Sequence, residues 1–269
     1  MTQANYLCPL CQSALKLAQK TLRCSNNHCF DYAKEGYVNL LPVQFKHSIN
    51  PGDNKAMVNA RRAFLSAGHY QPLADALVKL AQQHSVQVSS MLDAGCGEGF
   101  YTHQFAQTFN DVYGIDIAKE AVKKAAKSYK DCYFSVGTLS KLPFDDAHLD
   151  TIVSVYAPIL EEEFTRVLSK NGLLITVTPA KNHLFELKSL IYDNALPHDE
   201  EKPRVVNLAK IHHQKLNYTM ALSSVDDRLN LLSMTPFAFK ASEQCIEQLK
   251  TLTEFSCQAD FDINVYQKA

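Results

Sequence analysis

The apolar positions change period twice along the chain. In the first thirty residues they are sparse, with Leu15, Leu17 and Leu22 set among polar neighbours, too few to hold a module of that size unaided. After the break at Asn50-Pro51-Gly52, the spacing turns helical. Asp53 is placed as an N-cap, Met57, Ala60 and Phe64 share a face, and Gly68 is the stop. A second helix over 71–82 repeats the pattern with Leu73, Leu77 and Leu80. From Ser89 onward, short apolar and β-branched runs alternate with amphipathic ones. Strands are predicted at 89–94, 112–116, 133–136, 150–156 and 173–178, with helices at 118–128 and 162–168 between them. Phe261, Ile263 and Val265 alternate within 255–266 and predict a last strand. This alternation predicts an α/β fold with a doubly wound, mostly parallel sheet. The organisation expected is a small N-terminal unit at 1–36, a linker with bridging helices at 37–84 and the α/β domain at 85–269.

The turn after the first large-domain strand reads Asp93-Ala94-Gly95-Cys96-Gly97-Glu98-Gly99. Strand, glycine turn and helix is the arrangement in which backbone approaches a ligand closely, which only glycine permits without a clash. Dinucleotide enzymes favour G-x-G-x-x-G. Here the spacing is G-x-G-x-G, position 100 is Phe, and Asp93 precedes the first glycine. This combination resembles the first motif of class I S-adenosylmethionine-dependent methyltransferases, whose sheet ends in an antiparallel hairpin. The resemblance implies that the Asp93 carboxylate orients the methionine end and that Gly95, Gly97 and Gly99 let the cofactor lie over the turn. Asp116 ends the next strand 23 residues later, where a carboxylate suits both ribose hydroxyls. Capping the following helix is a compatible second role for it. Cys96 is expected to pack within the turn. No Asn/Asp-Pro-Pro-Tyr/Phe motif of exocyclic-amine methylation occurs, nor a Pro-Cys pair that would nominate a cysteine nucleophile.

Of eight cysteines, four fall within residues 8–29. Cys8, Cys11, Cys24 and His28 form C-x2-C-x12-C-x3-H, two ligand pairs that suit tetrahedral Zn2+, one structural ion per chain. Cys29 adjoins His28 and remains an alternative fourth ligand on spacing alone. Metal binding would supply the folding free energy that the few leucines do not. The whole chain holds 27 Lys+Arg against 28 Asp+Glu, which argues against a histone-like binder of polyanions. The balance is uneven, however. Residues 1–70 carry eight basic and three acidic residues, a net of +5, leaving −6 for the remainder. Any nucleic-acid contact is therefore expected toward the N-terminus, with Lys34, Lys46, Arg61 and Arg62 as candidates. The alternative is an unevenly charged solvated surface, on which Arg61 and Arg62, off the apolar face of their helix, simply meet water. No run of about 18 apolar residues and no secretory pattern is seen, so a soluble cytoplasmic protein without a membrane partner is expected.

Longer stretches are more specific. Residues 30–44, from Phe30-Asp31-Tyr32 to Pro42-Val43-Gln44, lead into Pro51-Gly52-Asp53, Ala60-Arg61-Arg62-Ala63-Phe64-Leu65 and Ala67-Gly68-His69-Tyr70. With the glycine turn, Tyr156-Ala157-Pro158, His183-Leu184 and Met234-Thr235-Pro236-Phe237, they resemble the large-subunit ribosomal RNA (guanine-N1)-methyltransferases of the RlmA family. The resemblance implies a zinc ribbon, an S-adenosylmethionine-dependent methyltransferase domain, a homodimer and a target guanine in a 23S rRNA hairpin, free or in a large-subunit assembly intermediate. It favours His28 over Cys29 as the fourth ligand. It also implies that Tyr70, Gly97, Glu98 and His183 touch the cofactor. Tyr156 and Phe237 are candidates to grip the base. The other readings are a non-catalytic rRNA-binding assembly factor and a small-molecule methyltransferase.

Overall fold

The computed structural model describes residues 4–45, 54–199 and 205–269. At the N-terminus, β1 (Lys16–Ala18), β2 (Thr21–Arg23) and β3 (Cys29–Asp31) form a small antiparallel sheet. Leu15 and Leu22 are buried while Leu17 is exposed. The sparse core of this unit is completed from outside. Tyr6 is fully enclosed, its ring 5.6 Å from that of Tyr113 and 5.7 Å from that of Phe144, both in the large domain. The Leu7 amide donates to the Pro143 carbonyl at 2.8 Å. The chain then adds β4 (Val38–Asn39) in parallel to the edge of the main sheet.

Two helices follow, α1 (Lys55–Ser66) and α2 (Gln71–His84). The N-cap of α1 is Asn54, whose Oδ1 accepts the Met57 amide at 3.0 Å. Asp53, expected there, lies outside the described residues. The buried face of α1 carries Val58, Ala60, Phe64 and Leu65, with Met57 only half-buried. Gly68, at φ +85°, supplies the left-handed stop. In α2, Leu73, Leu77 and Leu80 are buried as their spacing predicts.

The large domain contains β5 (Ser90–Ala94), α3 (Phe100–Gln104), β6 (Asp111–Asp116), α4 (Lys119–Ser128), β7 (Tyr133–Val136), β8 (Leu149–Val155), α5 (Glu161–Val167) and β9 (Leu168–Pro179). After α6 (Phe185–Ile191) come β10 (Ala209–Ala221), α7 (Val225–Ser233), α8 (Glu243–Thr251) and β11 (Ser256–Gln267). The eight-stranded sheet has the order β10-β11-β9-β8-β5-β6-β7-β4, with β11 antiparallel to both neighbours and the strands from β9 to β4 parallel. β5 is buried at all five positions, as a strand covered on both faces must be. The expected antiparallel closure is present, but α7 and α8 lie between its strands in place of a tight turn. The order reverses between β5 and β8, which opens a crevice at their carboxyl ends, where open α/β sheets bind ligands.

Replacing Asn54 by Ala removes the α1 cap and is expected to cost about 1 kcal/mol, read as a lower urea midpoint at unchanged slope; an unchanged midpoint would show that the cap contributes nothing.

Candidate functional site

The crevice is a cavity of about 850 Å3, within the roughly 300–1,000 Å3 typical of small-molecule sites. Four of the parallel strands contribute the loop at their carboxyl end: Gly95–Glu98 after β5, Asp116–Ala118 after β6, Gly137–Ser140 after β7 and Tyr156–Pro158 after β8. Gly95, Gly97 and Gly99 all have positive φ, but a Cβ would meet different surroundings at each. At Gly95 it would lie 2.5 Å from the Ala157 Cβ, and at Gly99 it would lie 2.8 Å from the Ala125 Cβ and 3.0 Å from the Phe134 and Tyr129 rings. Nothing lies within 4 Å at Gly97. Gly95 and Gly99 are thus small because protein packs against them, whereas Gly97 keeps its backbone open toward the cavity. Cys96 is buried within the turn.

The carboxylates around the turn divide by position. Asp93 is buried and does not line the cavity; its Oδ2 accepts the Thr102 hydroxyl at 2.6 Å. Burial pushes its pKa up to about 7 against the pull of that hydrogen bond. Asp116 lines the cavity and also fastens the turn, Oδ2 accepting the Gly97 amide at 2.9 Å and Oδ1 the Ala118 amide at 2.7 Å. Glu98 lines the cavity from a buried position, and burial raises its pKa to about 7 although the Arg62 guanidinium opposes the shift. Its Oε2 accepts no hydrogen bond, with Arg62 Nη1 3.6 Å away. A cavity with an open glycine backbone, a strand-end carboxylate on its wall and a second, buried carboxylate oxygen without a hydrogen bond can accommodate a ligand that carries hydroxyls and a cationic end.

Opposite chemistry lines the rest of the wall. Tyr156, at φ +58°, holds an unusual backbone conformation for a non-glycine residue; the residue is 45% exposed and lines the cavity. Its hydroxyl lies 3.1 Å from His183 Nε2, and that of Tyr70 lies 3.4 Å from the same nitrogen. The Asp260 amide donates to His183 Nδ1 at 3.2 Å. With Nδ1 accepting, the proton of the neutral ring belongs on Nε2, which donates toward the two tyrosine oxygens. Burial holds the His183 pKa down to about 3, so the imidazole stays neutral and cannot take up a proton near pH 7. The rings of Tyr156, His183, His198 and Phe237 follow one another at centroid spacings of 5.7, 6.3 and 6.5 Å.

Of the cationic candidates, Arg61 lines the cavity and donates to the Met234 carbonyl at 3.1 Å, and Arg62 donates to Ser128 Oγ at 2.6 Å. Lys34 is exposed, and Lys46 lies outside the described residues. His198 and Asp260 carried no signal in the sequence, because His198 joins the wall from the irregular segment after α6 and Asp260 acts on His183 through its backbone amide.

In the zinc unit, Cys8, Cys11, Cys24 and His28 bring their ligand atoms within 4.8 Å of one another. Zn–S bonds of about 2.3 Å and Zn–N bonds of 2.0–2.1 Å imply tetrahedral S···S and S···N separations of roughly 3.8 and 3.6 Å. The Cys11 and Cys24 sulfurs are 3.7 Å apart, and His28 Nδ1 is 3.4 Å from the sulfurs of both Cys8 and Cys24. Each ligand pair is turned by a left-handed residue, Gln12 at φ +60° and Asn27 at φ +61°. Cys29 is exposed and its thiol meets the Asn27 carbonyl instead, so His28 completes the set.

The family described as "RlmA, N-terminal" matches residues 6–49, and the one described as "Methyltransferase domain" matches residues 87–222. YxjB of Bacillus subtilis (strain 168), provisionally named a 23S rRNA (guanine-N(1)-)-methyltransferase, is 30% identical over 98% of this chain and 97% of its own. The 23S rRNA (guanine(748)-N(1))-methyltransferase of Streptomyces fradiae is 36% identical over 67% of this chain and 65% of its own.

Elemental analysis of purified protein is expected to give one zinc per chain, retained in Cys29→Ser and lost in His28→Ala. Loss in Cys29→Ser with retention in His28→Ala would reverse the assignment.

Proposed function

Because this chain belongs to the 23S rRNA (guanine-N1)-methyltransferase family, we propose that it transfers the methyl group of S-adenosylmethionine to N1 of a guanine in a hairpin loop of 23S rRNA. The observation that carries this reading is the single cavity in which an open glycine turn and a row of rings face one another. Bound there, S-adenosylmethionine supplies an electrophilic methyl carbon on a sulfonium.

The chain's own part is to bind, orient and enclose. We assign the ribose hydroxyls to Asp116, whose two oxygens are already aimed by the amides of Gly97 and Ala118. Gly97 leaves its backbone bare for close approach. Glu98 offers a buried carboxylate oxygen to the cationic end, and Tyr70 and His183 close the wall beside it. Asp93 and Gly99 do not line the cavity; we propose that they act as positioning residues, Asp93 by fixing α3 through Thr102 and Gly99 by letting α4 and β7 pack beneath the turn.

Guanine N1 bears a proton at neutral pH; forming the bond from N1 to the methyl carbon would break the carbon–sulfur bond of the sulfonium, leaving a neutral thioether, and would release that proton to water. His183 is excluded as the acceptor by its low pKa and by its engaged Nδ1. We propose instead that its Nε2–H fixes the Tyr156 hydroxyl, and that the Tyr156 ring, with Phe237, grips the extruded base by stacking. Alignment of this kind is worth up to about 7–11 kcal/mol of barrier. We further propose, on the family resemblance, that the protein works as a cytoplasmic homodimer on free rRNA or an assembling large subunit. Among the described residues no helix is long and apolar enough to cross a membrane.

Deleting the gene is expected to abolish a reverse-transcription stop at one 23S rRNA guanine, since N1 methylation blocks the pairing edge; a stop that persists would refute the function. A second expectation concerns pH. The raised Glu98 pKa means that the folded state keeps a proton that the unfolded chain has lost, so stability falls as pH rises from 4.5 to about 7. A cationic ligand favours the ionised form. Calorimetric affinity for S-adenosylmethionine should therefore rise with pH up to about 7 and level off above it. Glu98→Gln should bind more weakly, without that rise; an identical pH profile in the variant would remove Glu98 from the cofactor site.

A further inference from the structure

The charge count of the sequence concentrates cationic excess in residues 1–70, yet the fold brings a second basic segment alongside it. Residues 119–130 hold Lys119, Lys123, Lys124, Lys127 and Lys130 against the single acidic Glu120. Lys119, Lys123 and Lys127 recur at i, i+4 and i+8 of α4 and so form one stripe. Lys130, just beyond the helix, donates to the Glu35 and Ala126 carbonyls. It thereby ties α4 to the turn that leaves the zinc ribbon, and that turn presents Lys34. The result is a recess of about 570 Å3 lined by Lys34, Glu35, Lys123, Lys127 and Lys130. The Lys123 ammonium is 3.9 Å from Glu35, a separation that offsets little of the mutual repulsion of four exposed or half-exposed ammonium groups.

We propose that this recess and the α4 stripe form a docking surface for the phosphodiester backbone of the substrate RNA, shared between the zinc ribbon and the methyltransferase domain. The inference rests on the rRNA reading above and deepens it. Three features favour a polynucleotide over a single phosphate. The charges are strung along a ten-residue helix, about 15 Å at 1.5 Å per residue, rather than converging on one point. They are lysines, which act as point charges and carry no base-reading geometry. The same helix also reaches the cavity, since its N-cap Ala118 and its Ala121 line the wall beside Asp116. A backbone held along α4 therefore delivers its neighbouring base to the cavity mouth. Arg62, bonded to Ser128 on α4 and paired with Glu98, links the two surfaces.

The test uses the full-length zinc-loaded protein and unmodified 23S rRNA from a deletion strain, with filter binding across a series of KCl concentrations. The variant Lys34→Gln/Lys123→Gln/Lys127→Gln is expected to bind roughly tenfold or more weakly at 0.1 M salt. Its slope of log affinity against log salt should be shallower by about 2 to 3, at 0.7–0.9 per lost phosphate contact. Its melting temperature and its calorimetric affinity for S-adenosylmethionine should match wild type. Lys170→Gln/Lys210→Gln, which neutralises two exposed lysines on β9 and β10, should leave both affinity and slope unchanged. Wild-type affinity and slope in the triple variant would overturn the proposal, as would equal weakening by the control pair. Failure of the wild-type protein itself to bind or methylate the rRNA would instead overturn the functional reading on which the proposal rests.

Discussion

The constraint on which the site depends is the run of three left-handed glycines in five residues where β5 ends. The chain must leave a fully buried strand, pass along the floor of the cavity and enter α3 at once, and an L side chain at these positions is strained. Two of the three glycines are dictated by protein against protein. A Cβ at Gly95 would strike Ala157 from the loop after β8, and one at Gly99 would strike Ala125, Tyr129 and Phe134. The turn therefore sets how closely α4, β7 and the β8 loop approach. Its own shape is held from both sides, by Thr102 on the buried Asp93 below and by Asp116 on the Gly97 amide beside it. Of the three, Gly97 alone has open space above it, on the side of the cavity, and that opening is where we place the cofactor.

Around this turn the same side chains serve two ends. Asp116 lines the cavity, and its Oδ1 accepts the Ala118 amide just ahead of α4; the N-cap of that helix, Ala118, has no side-chain cap bond, so the capping role the sequence allowed is not the one observed. α4 is in turn the helix whose inner end reaches the cavity and whose outer stripe is basic. The zinc ribbon is seated on this framework through Tyr6, Leu7 and β4. The metal thus organises a unit that is docked on the catalytic domain rather than tethered to it, and Lys34 is carried to the side of α4.

Much of this was legible in the sequence, for identifiable reasons. Parallel strands covered on both faces must be continuous apolar runs, so β5, β6, β7 and β8 declare themselves within a residue or two. Glycines at fixed spacing and ligand pairs at knuckle spacing are local signals, and both sites are built from them. What escaped was non-local or exposed. β10 is an edge strand whose residues, from Ala209 to Thr219, are exposed or half-exposed, so its period-2 pattern carries little apolar contrast. The capping residue moved from Asp53 to Asn54, and Val58 is buried where Met57 was expected, a shift that periodicity resolves poorly at a helix start. The helical spacing puts Arg61 off the apolar face of α1, but a bond to the carbonyl of Met234, far along the chain, draws it to the cavity wall. The Tyr70, Tyr156 and His183 cluster joins three segments with no mutual signature. The lysine stripe of α4 was present in the sequence as an i, i+4 pattern, but only its placement beside Lys34 makes it a surface.

The central claim is that Gly97 is the point where the protein backbone and the cofactor meet, distinct from the packing glycines on either side. It is tested most directly by calorimetric titration of S-adenosylmethionine into Gly97→Ala, with the melting temperature recorded alongside. The account predicts affinity reduced roughly tenfold or more, about 1.4 kcal/mol, with melting lowered by only a few degrees, as left-handed strain of about 1–2 kcal/mol implies. Wild-type affinity in a folded Gly97→Ala protein would contradict it.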